Sequence, residues 1–518
     1  MGLSVFFVGV SALNLDDFPI VTSDEGWVMS TPYKLTTQGI FGTDLYAGLF
    51  DTEPRTIVMP VHYLLVALSF KLVGPGVAQA RWVSLLFGVS ILWFVGWLAY
   101  RWYGLAVALL TQGLLLFWRS VLMAYSPGIP LLVISRTARY DVGALAWIWA
   151  TLFLLNKIVQ QPDKRVAFAL GLCAALATLT QFFGLFVVPL IVLVWLWHRG
   201  KQTWTDPATY WMIAGFLVVM IPYAAYTLPR LNDLVAQLTL MQGERFAFDS
   251  PTFYLDALLH EPRRFAHLLQ KATPGPWLLI LGTGPALFLV WRRVKRTGQT
   301  GDRILLLSVL IFGGLLALIE QTKSSGYAIV LLPSLCMAMA LFFVRVLRWS
   351  RSGNRPRHRA TRYLITGWLA LVLLEGFAAH AVDQWRSHHI SNYLEIGERM
   401  GTHLEPGTRI AGPERWWWAL RDHPYVANGN LYGQWRAAAQ AQDQQPDFSN
   451  VVRRAAVDYI LVHRGGDIMH QPETLKSQFW DFLDTSCTLI KTVNDEAYGE
   501  IEIHRVLETR PGPTRERP

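Results

Sequence analysis

The sequence predicts an all-α polytopic membrane protein of about eleven transmembrane helices, with a large first extracytoplasmic loop and a small C-terminal extracytoplasmic α/β domain. Three observations predict it. Only 16% of the 518 residues are charged against 52% hydrophobic, whereas a soluble domain carries about a quarter charged residues. Apolar runs of spanning length recur as far as residue 382. The charge is also segregated: from Asp383 onward there are 19 Asp/Glu and 15 Lys/Arg, so this tail is net −4 and the remainder +13 within a total of +9. The basic excess sits in loops between apolar runs, which concerns membrane orientation and not nucleic acid. Disorder, a coiled coil and an ordinary cytosolic enzyme are excluded. Cys173, Cys336 and Cys487 are too few for a disulfide framework and lack paired metal-binding spacing.

A spanning helix needs roughly 20 mostly apolar residues to cross about 30 Å of hydrocarbon. Runs near 81–100, 104–124, 141–157, 166–181, 182–198, 208–228, 276–292, 303–320, 326–346 and 363–382 are read as spans. Gly2–Leu13 is apolar but short and lacks a signal peptide's basic n-region and cleavage site, so it reads as a short or N-terminally clipped first span. Cytoplasmic loops are enriched in Lys and Arg. Residues 345–362 hold seven Arg and no acid, residues 292–296 read Arg-Arg-Val-Lys-Arg, and smaller basic loops occur at Arg101, Lys157–Arg165 and Arg199–Lys201. All are cytoplasmic together only if the apolar run Ile57–Gly74 does not cross. Its Pro60, His62, Lys71 and Gly74 suit an interfacial helix lying along the outer surface. Residues 15–80, 125–140, 229–275, 321–325 and everything after 382 are then extracytoplasmic.

The domain reading is a polytopic domain over 1–382 (15–80 forming the first outer loop), an extracytoplasmic α/β domain over 383–510, and a disordered tail over 511–518. Ile390, Tyr393, Leu394, Gly397 and Met400 follow helical spacing, and Pro472–Leu483 reads as a helix. Val457–Val462, Cys487–Val493 and Glu500–Val506 read as strands.

Three polar clusters fall on the outer side. The first loop carries Asp16, Asp17, Asp24, Glu25, Asp44, Asp51 and Glu53 against three basic residues. Asp24-Glu25 can supply a general base, bind a divalent ion, or simply be solvated. Asp141 follows Arg136 and Arg139 where the chain re-enters the membrane; it either serves the site or favours a helix N-terminus, with the arginines as interfacial anchors. Lys323, in Glu320-Gln-Thr-Lys323-Ser-Ser-Gly-Tyr327, breaks the positive-inside trend. It is either a snorkelling anchor or, with Tyr327, a phosphate ligand. Together the clusters suit a substrate with a phosphate head, a lipid tail and a sugar whose transfer needs a base.

The pattern resembles the GT-C glycosyltransferases, specifically the group of protein O-mannosyltransferases and the bacterial lipid A aminoarabinose transferase. The matching stretches, in order over about residues 1–382, begin with Asp24-Glu25-Gly-Trp and Met59-Pro60-Val-His62-Tyr63-Leu-Leu ahead of Lys71-Leu-Val-Gly74. Arg81-Trp-Val-Ser84, Ser135-Arg136-Thr-Ala-Arg139-Tyr-Asp141, and Lys323-Ser-Ser-Gly-Tyr327 followed by Leu-Leu-Pro333 complete them. The resemblance implies transfer of a sugar, with inversion, from a polyprenyl-phosphate-linked donor to an acceptor hydroxyl at the outer face of the plasma membrane. The acceptor would be a lipid, a protein or a polysaccharide. By similarity Asp24 is the base or first carboxylate supported by Glu25, and Asp141 is the second acid. Lys323 and Tyr327 hold the donor phosphate, with Arg136, Arg139, His62 and Tyr63 as further substrate-binding positions. Some members bind a divalent metal near these acids and others need none, so a metal at Asp24 and Asp141 stays open. The chain departs from the pattern at Met59, where a second proline is common, and at Thr180-Gln181, where many members show lysine or histidine.

Trp416-Trp417-Trp418 lacks the continuation of the oligosaccharyltransferase Trp-Trp-Asp motif and reads as packing onto the membrane domain, and Gly465-Gly466-Asp467 reads as a turn. The rival reading is a multi-pass transporter or flippase. It predicts mid-span charges or paired broken helices, but Arg119 and Glu375 are the only mid-run charges and no two-fold repeat is visible.

Overall fold

The computed structural model describes residues 2–46, 55–118, 131–242, 252–269, 274–352, 356–441, 446–463 and 466–507. The expected disordered tail 511–518 lies outside them, as do Asp51, Glu53, Arg119 and Gly465. The chain forms two bodies. One comprises Met1–Leu13, Val58–His62 and Arg81–Arg386; the other comprises Asn14–Ile57, Tyr63–Ala80 and Ser387–Pro518.

The first body is helical. Among the described residues, seven segments are long and apolar enough to cross a membrane: Val77–Tyr103, Tyr140–Gln160, Phe182–Trp204, Pro207–Thr239, Thr300–Ile319, Leu332–Arg351 and Pro356–Ser387. The other four expected spans are helical too. Gly2–Ser11, Leu105–Phe117 and Lys164–Thr180 have 10, 13 and 17 residues, and Pro274–Thr297 has 24. Ile57–Gly74 becomes the helix Pro60–Val73, whose 14 residues reach only about 21 Å at 1.5 Å each, short of the hydrocarbon thickness.

Burial separates central from peripheral helices. Tyr140–Gln160 is buried along most of its length, whereas Pro207–Thr239 exposes Leu217, Val218 and Ile221. Such outward apolar side chains are costly in water and unremarked in lipid. Lys164–Thr180 packs closely on Pro207–Thr227: a Cβ at Gly171 would meet the Met212 carbonyl at 1.8 Å, and one at Gly215 the Phe168 carbonyl at 2.0 Å. Reciprocal glycines let two apolar helices approach where the hydrophobic effect between them is weak. The basic stretch 292–296 forms the last turns of the helix Pro274–Thr297, where Arg293 pairs with buried Asp302 at 3.0 Å and the Tyr103 hydroxyl donates to the same carboxylate at 3.0 Å.

The second body contains a five-stranded sheet of order β2-β1-β3-β5-β4, with β1 Ile410–Gly412, β2 Tyr425–Ala427, β3 Tyr459–His463, β4 Cys487–Asp495 and β5 Gly499–Val506. Strands β1, β2 and β3 run parallel; β5 is antiparallel to β3, with Leu461 opposite Ile503, and β4 is antiparallel to β5. Helices Asn428–Ala441, Phe448–Arg454 and Glu473–Ser486 supply Trp435, Phe448, Val452, Phe479 and Phe482 to a core against Val426, Ile460 and Val462. The helix Tyr393–Gly401 is capped by Asn392, whose side chain accepts from the amides of Leu394 and Glu395. The three tryptophans are buried within this body. Trp416 stacks on Tyr393 at 5.4 Å, Trp417 and Trp418 flank Tyr33 of the first loop at 5.8 and 5.6 Å, and Trp418 reaches Phe70 at 5.9 Å.

Candidate active site

In the second body, the helix Ser23–Gln38 is started by a capping box. Thr22 is its N-cap, and the Thr22 amide donates to Glu25 Oε2 at 3.0 Å. Glu25 is therefore fully buried and engaged in holding the helix start, while Asp24 is left half-buried in the first turn, where the helix dipole favours its charge. Gly26 allows the segment after β1 to press on this turn, since a Cβ there would lie 2.0 Å from the Glu414 carbonyl oxygen. Tyr63 is buried beside Phe41 at 6.4 Å. Its hydroxyl is pushed well above the ordinary range, first by burial and then by the negative charge of Asp24.

In the first body, the helix Tyr140–Gln160 begins at a clasp between Ser84 and the backbone of Arg139: the Arg139 amide donates to Ser84 Oγ at 3.0 Å, and that hydroxyl lies 3.3 Å from the Arg139 carbonyl. Asp141 follows, buried, with both oxygens engaged. Arg139 Nε donates to Oδ2 at 2.8 Å and Gln181 Nε2 to Oδ1 at 3.0 Å. Gln181 Oε1 accepts from the Phe182 amide at 2.9 Å, which fixes the orientation of the amide group. Tyr327 lies edge-on to Phe182 at 5.1 Å and to Phe183 at 6.2 Å. His62 lies 6.5 Å from Tyr140 and 6.3 Å from Phe87. It is fully buried, and among the described residues neither ring nitrogen has a hydrogen-bond partner. Burial lowers its pKa to about 3, so the ring is neutral at pH 7. Arg136 points elsewhere, its Nη2 donating to the Leu13 carbonyl at 2.7 Å.

Lys323 has left-handed backbone, at φ 55°. Its ammonium donates to the Ala317 carbonyl at 2.7 Å and pairs with Glu261 Oε2 at 3.1 Å. Arg264 completes the cluster, meeting Glu261 Oε1 at 2.8 Å, Glu320 Oε2 at 2.9 Å and the Ser324 carbonyl at 2.6 Å. Burial lowers the Lys323 pKa, and the Glu261 carboxylate opposes that shift.

The first body thus gathers His62, Arg139, Asp141 and Tyr327, with Lys323 four residues before Tyr327 in the chain. Asp24, Glu25 and Tyr63 belong to the second. Sequence reasoning missed Glu261 and Arg264, and named Ser84 only within a matching stretch, without its role. The Glu261–Arg264 pair at i,i+3 was a readable signal, but its partner in another element was not. Gln181 was visible as a departure, without its role. The acids offered to a metal fit one poorly: both Asp141 oxygens are already engaged, and among the described residues no three His, Cys, Asp or Glu converge.

No protein-family model and no curated protein matches the sequence. Solved structures do. ArnT from Cupriavidus metallidurans, bound to undecaprenyl phosphate, superposes with a TM-score of 0.61 at 15% identity, covering 99% of both chains. The Archaeoglobus fulgidus oligosaccharyltransferase gives 0.54 at 12% identity over 90% of this chain and 69% of its own. The fold is the one these solved structures share. The first-loop acids, the Arg139–Asp141 helix start and the Lys323–Tyr327 turn occur in that order along a chain of which 99% is matched. A zinc ion accompanies sulfate in another structure of the A. fulgidus enzyme.

Proposed function

We propose that the protein is a polyprenyl-phosphate-sugar-dependent glycosyltransferase that moves a sugar, with inversion, to an acceptor hydroxyl of a lipid, protein or polysaccharide at the outer face of the plasma membrane. The observation that carries this reading is the likeness, over nearly the whole chain, to an ArnT structure holding undecaprenyl phosphate. An A. fulgidus AglB structure, solved with dolichol-phosphate and an inhibitory peptide, supports the same class of donor. A transporter or flippase gains nothing from this fold.

Asp24 takes the proton of the acceptor hydroxyl. The oxygen attacks the anomeric carbon from the face opposite the phosphate, and the carbon–oxygen bond to phosphate breaks with its electron pair left on the polyprenyl phosphate. Glu25 fixes the turn that presents Asp24. Asp141, clamped by a guanidinium and an amide, acts as a fixed anion that orients the sugar and favours the positive charge developing at the anomeric centre. Lys323 and Tyr327 receive the leaving phosphate, with Arg139 as a further cation; Arg136, which donates to the Leu13 carbonyl, is left out of that role. Neutral His62 and protonated Tyr63 offer hydrogen bonds to sugar without adding charge.

Kinetics with a short-chain polyprenyl-phosphate sugar test the base. Asp24→Asn lowers turnover by at least about two orders of magnitude, the usual contribution of a general base, while its melting temperature stays near wild type. Asp16→Asn leaves turnover unchanged, because an Asn oxygen still accepts from the Ala78 amide that Asp16 now caps at 3.1 Å. Near-normal turnover in Asp24→Asn returns that carboxylate to a solvated surface.

A further inference from the structure

The reading of Lys323 as the phosphate ligand leaves one feature unexplained: its ammonium already has an anion. The four charged groups of the cluster are two carboxylates and two cations, joined by ion pairs in the order Lys323, Glu261, Arg264, Glu320. They differ in freedom. The side chains of Arg264 and Glu320 are 0% exposed and that of Lys323 is 3% exposed, whereas Glu261 is 17% exposed. Arg264 is committed on three sides, to Glu261, Glu320 and the Ser324 carbonyl. Glu261 is the one member with a path to water.

We infer that Glu261 is a positioning residue that occupies the phosphate's place on Lys323 and exchanges with it during each turnover. This rests on the proposed role of Lys323 as phosphate ligand. A buried ammonium stripped of its anion is strongly disfavoured, so Glu261 leaves only as another anion arrives. A phosphodiester donor carries one negative charge and replaces one carboxylate at nearly constant local charge. A neutral sugar cannot make that exchange, so the cluster selects for phosphate. Arg264 stays paired with buried Glu320 and does not follow. After transfer the polyprenyl phosphate is a monoester with a larger negative charge, held more tightly by Lys323 than the donor was. Return of the Glu261 carboxylate to Lys323 opposes that retention and assists release.

The test uses the full-length protein in lipid nanodiscs and a short-chain polyprenyl monophosphate as probe, titrated by calorimetry. Glu261→Gln keeps the side-chain volume and removes the competing charge, so the probe binds about tenfold more tightly, in keeping with loss of one charge-assisted competitor. In turnover assays the donor KM falls and inhibition by added polyprenyl phosphate grows, a split that a purely structural role does not produce. Lys323→Ala weakens binding, and Glu261→Gln in that background has no further effect. If Glu261→Gln fails to fold, Glu261→Asp, one methylene shorter, tightens binding to a smaller degree. Unchanged or weaker binding in the Glu261 variants, with Lys323→Ala still defective, overturns the exchange and leaves the phosphate role of Lys323 standing. Unchanged binding in Lys323→Ala overturns both.

Discussion

At the scale of single residues, the three carboxylates sit in different surroundings. Glu25 is fully buried in a capping box and Asp141 is buried between two hydrogen-bond donors, whereas Asp24 is half-buried in a helix's first turn. Gln181 was readable only as an oddity, because its partner Asp141 lies 40 residues away and a side-chain pairing across two helices leaves no periodic trace. Removing it leaves a buried carboxylate oxygen short of a donor, which costs about 1.5–3 kcal/mol. Gln181→Ala therefore lowers both the melting temperature and, by about tenfold, turnover, and Gln181→His recovers part of each. Full stability and turnover in Gln181→Ala would remove Gln181 from the account. His62 gives a pH signature. Its folded pKa of about 3 lies below the ordinary 6.5, so between those values the unfolded chain binds a proton that the folded chain refuses. The contribution is complete above pH 6.5 and is lost as pH falls toward 3, at up to about 1.4 kcal/mol per pH unit. Thermal melts at pH 7.5 and 5.5 differ less in His62→Gln than in wild type; an equal difference places the proton uptake elsewhere.

At the scale of elements, the tail was the more legible part. Runs of alternating or continuous apolar residues bounded by turns mark β3, β4 and β5, and Pro472 marks the start of the helix Glu473–Ser486. The short strands β1 and β2 were not legible, because three residues of extended chain carry too little pattern and owe their place to parallel pairing with β3. The tryptophan triplet reads in sequence as packing onto the membrane domain; it is instead buried within the second body, against Tyr33 and Phe70 of the first loop, which lie far from it in the chain. The helix Pro60–Val73 is apolar but too short for a span, and it carries His62 and Lys71. It follows that Asp44→Cys and Pro75→Cys, both at exposed positions, react with an impermeant external thiol reagent in a background lacking Cys173, Cys336 and Cys487. Labelling at 44 without labelling at 75 makes Pro60–Val73 a crossing and inverts every later loop.

At the scale of the whole molecule, composition and loop charge carried the class, and the order of short motifs carried the fold, which the 99% mutual coverage with ArnT bears out. The site was less legible, because its chemistry depends on which charges pair. Lys323 stands out in sequence as an outer-side cation, yet only the structure brings Glu261 and Arg264 to it. The central claim is that this chain transfers a sugar through Asp24. Mass spectrometry of envelope glycans and glycolipids, in a deletion strain carrying wild-type or Asp24→Asn protein at equal abundance, tests it most directly. The account predicts a species that loses one sugar mass on deletion, regains it with wild type and does not regain it with Asp24→Asn. Restoration by Asp24→Asn, or an envelope unchanged by deletion, would contradict it.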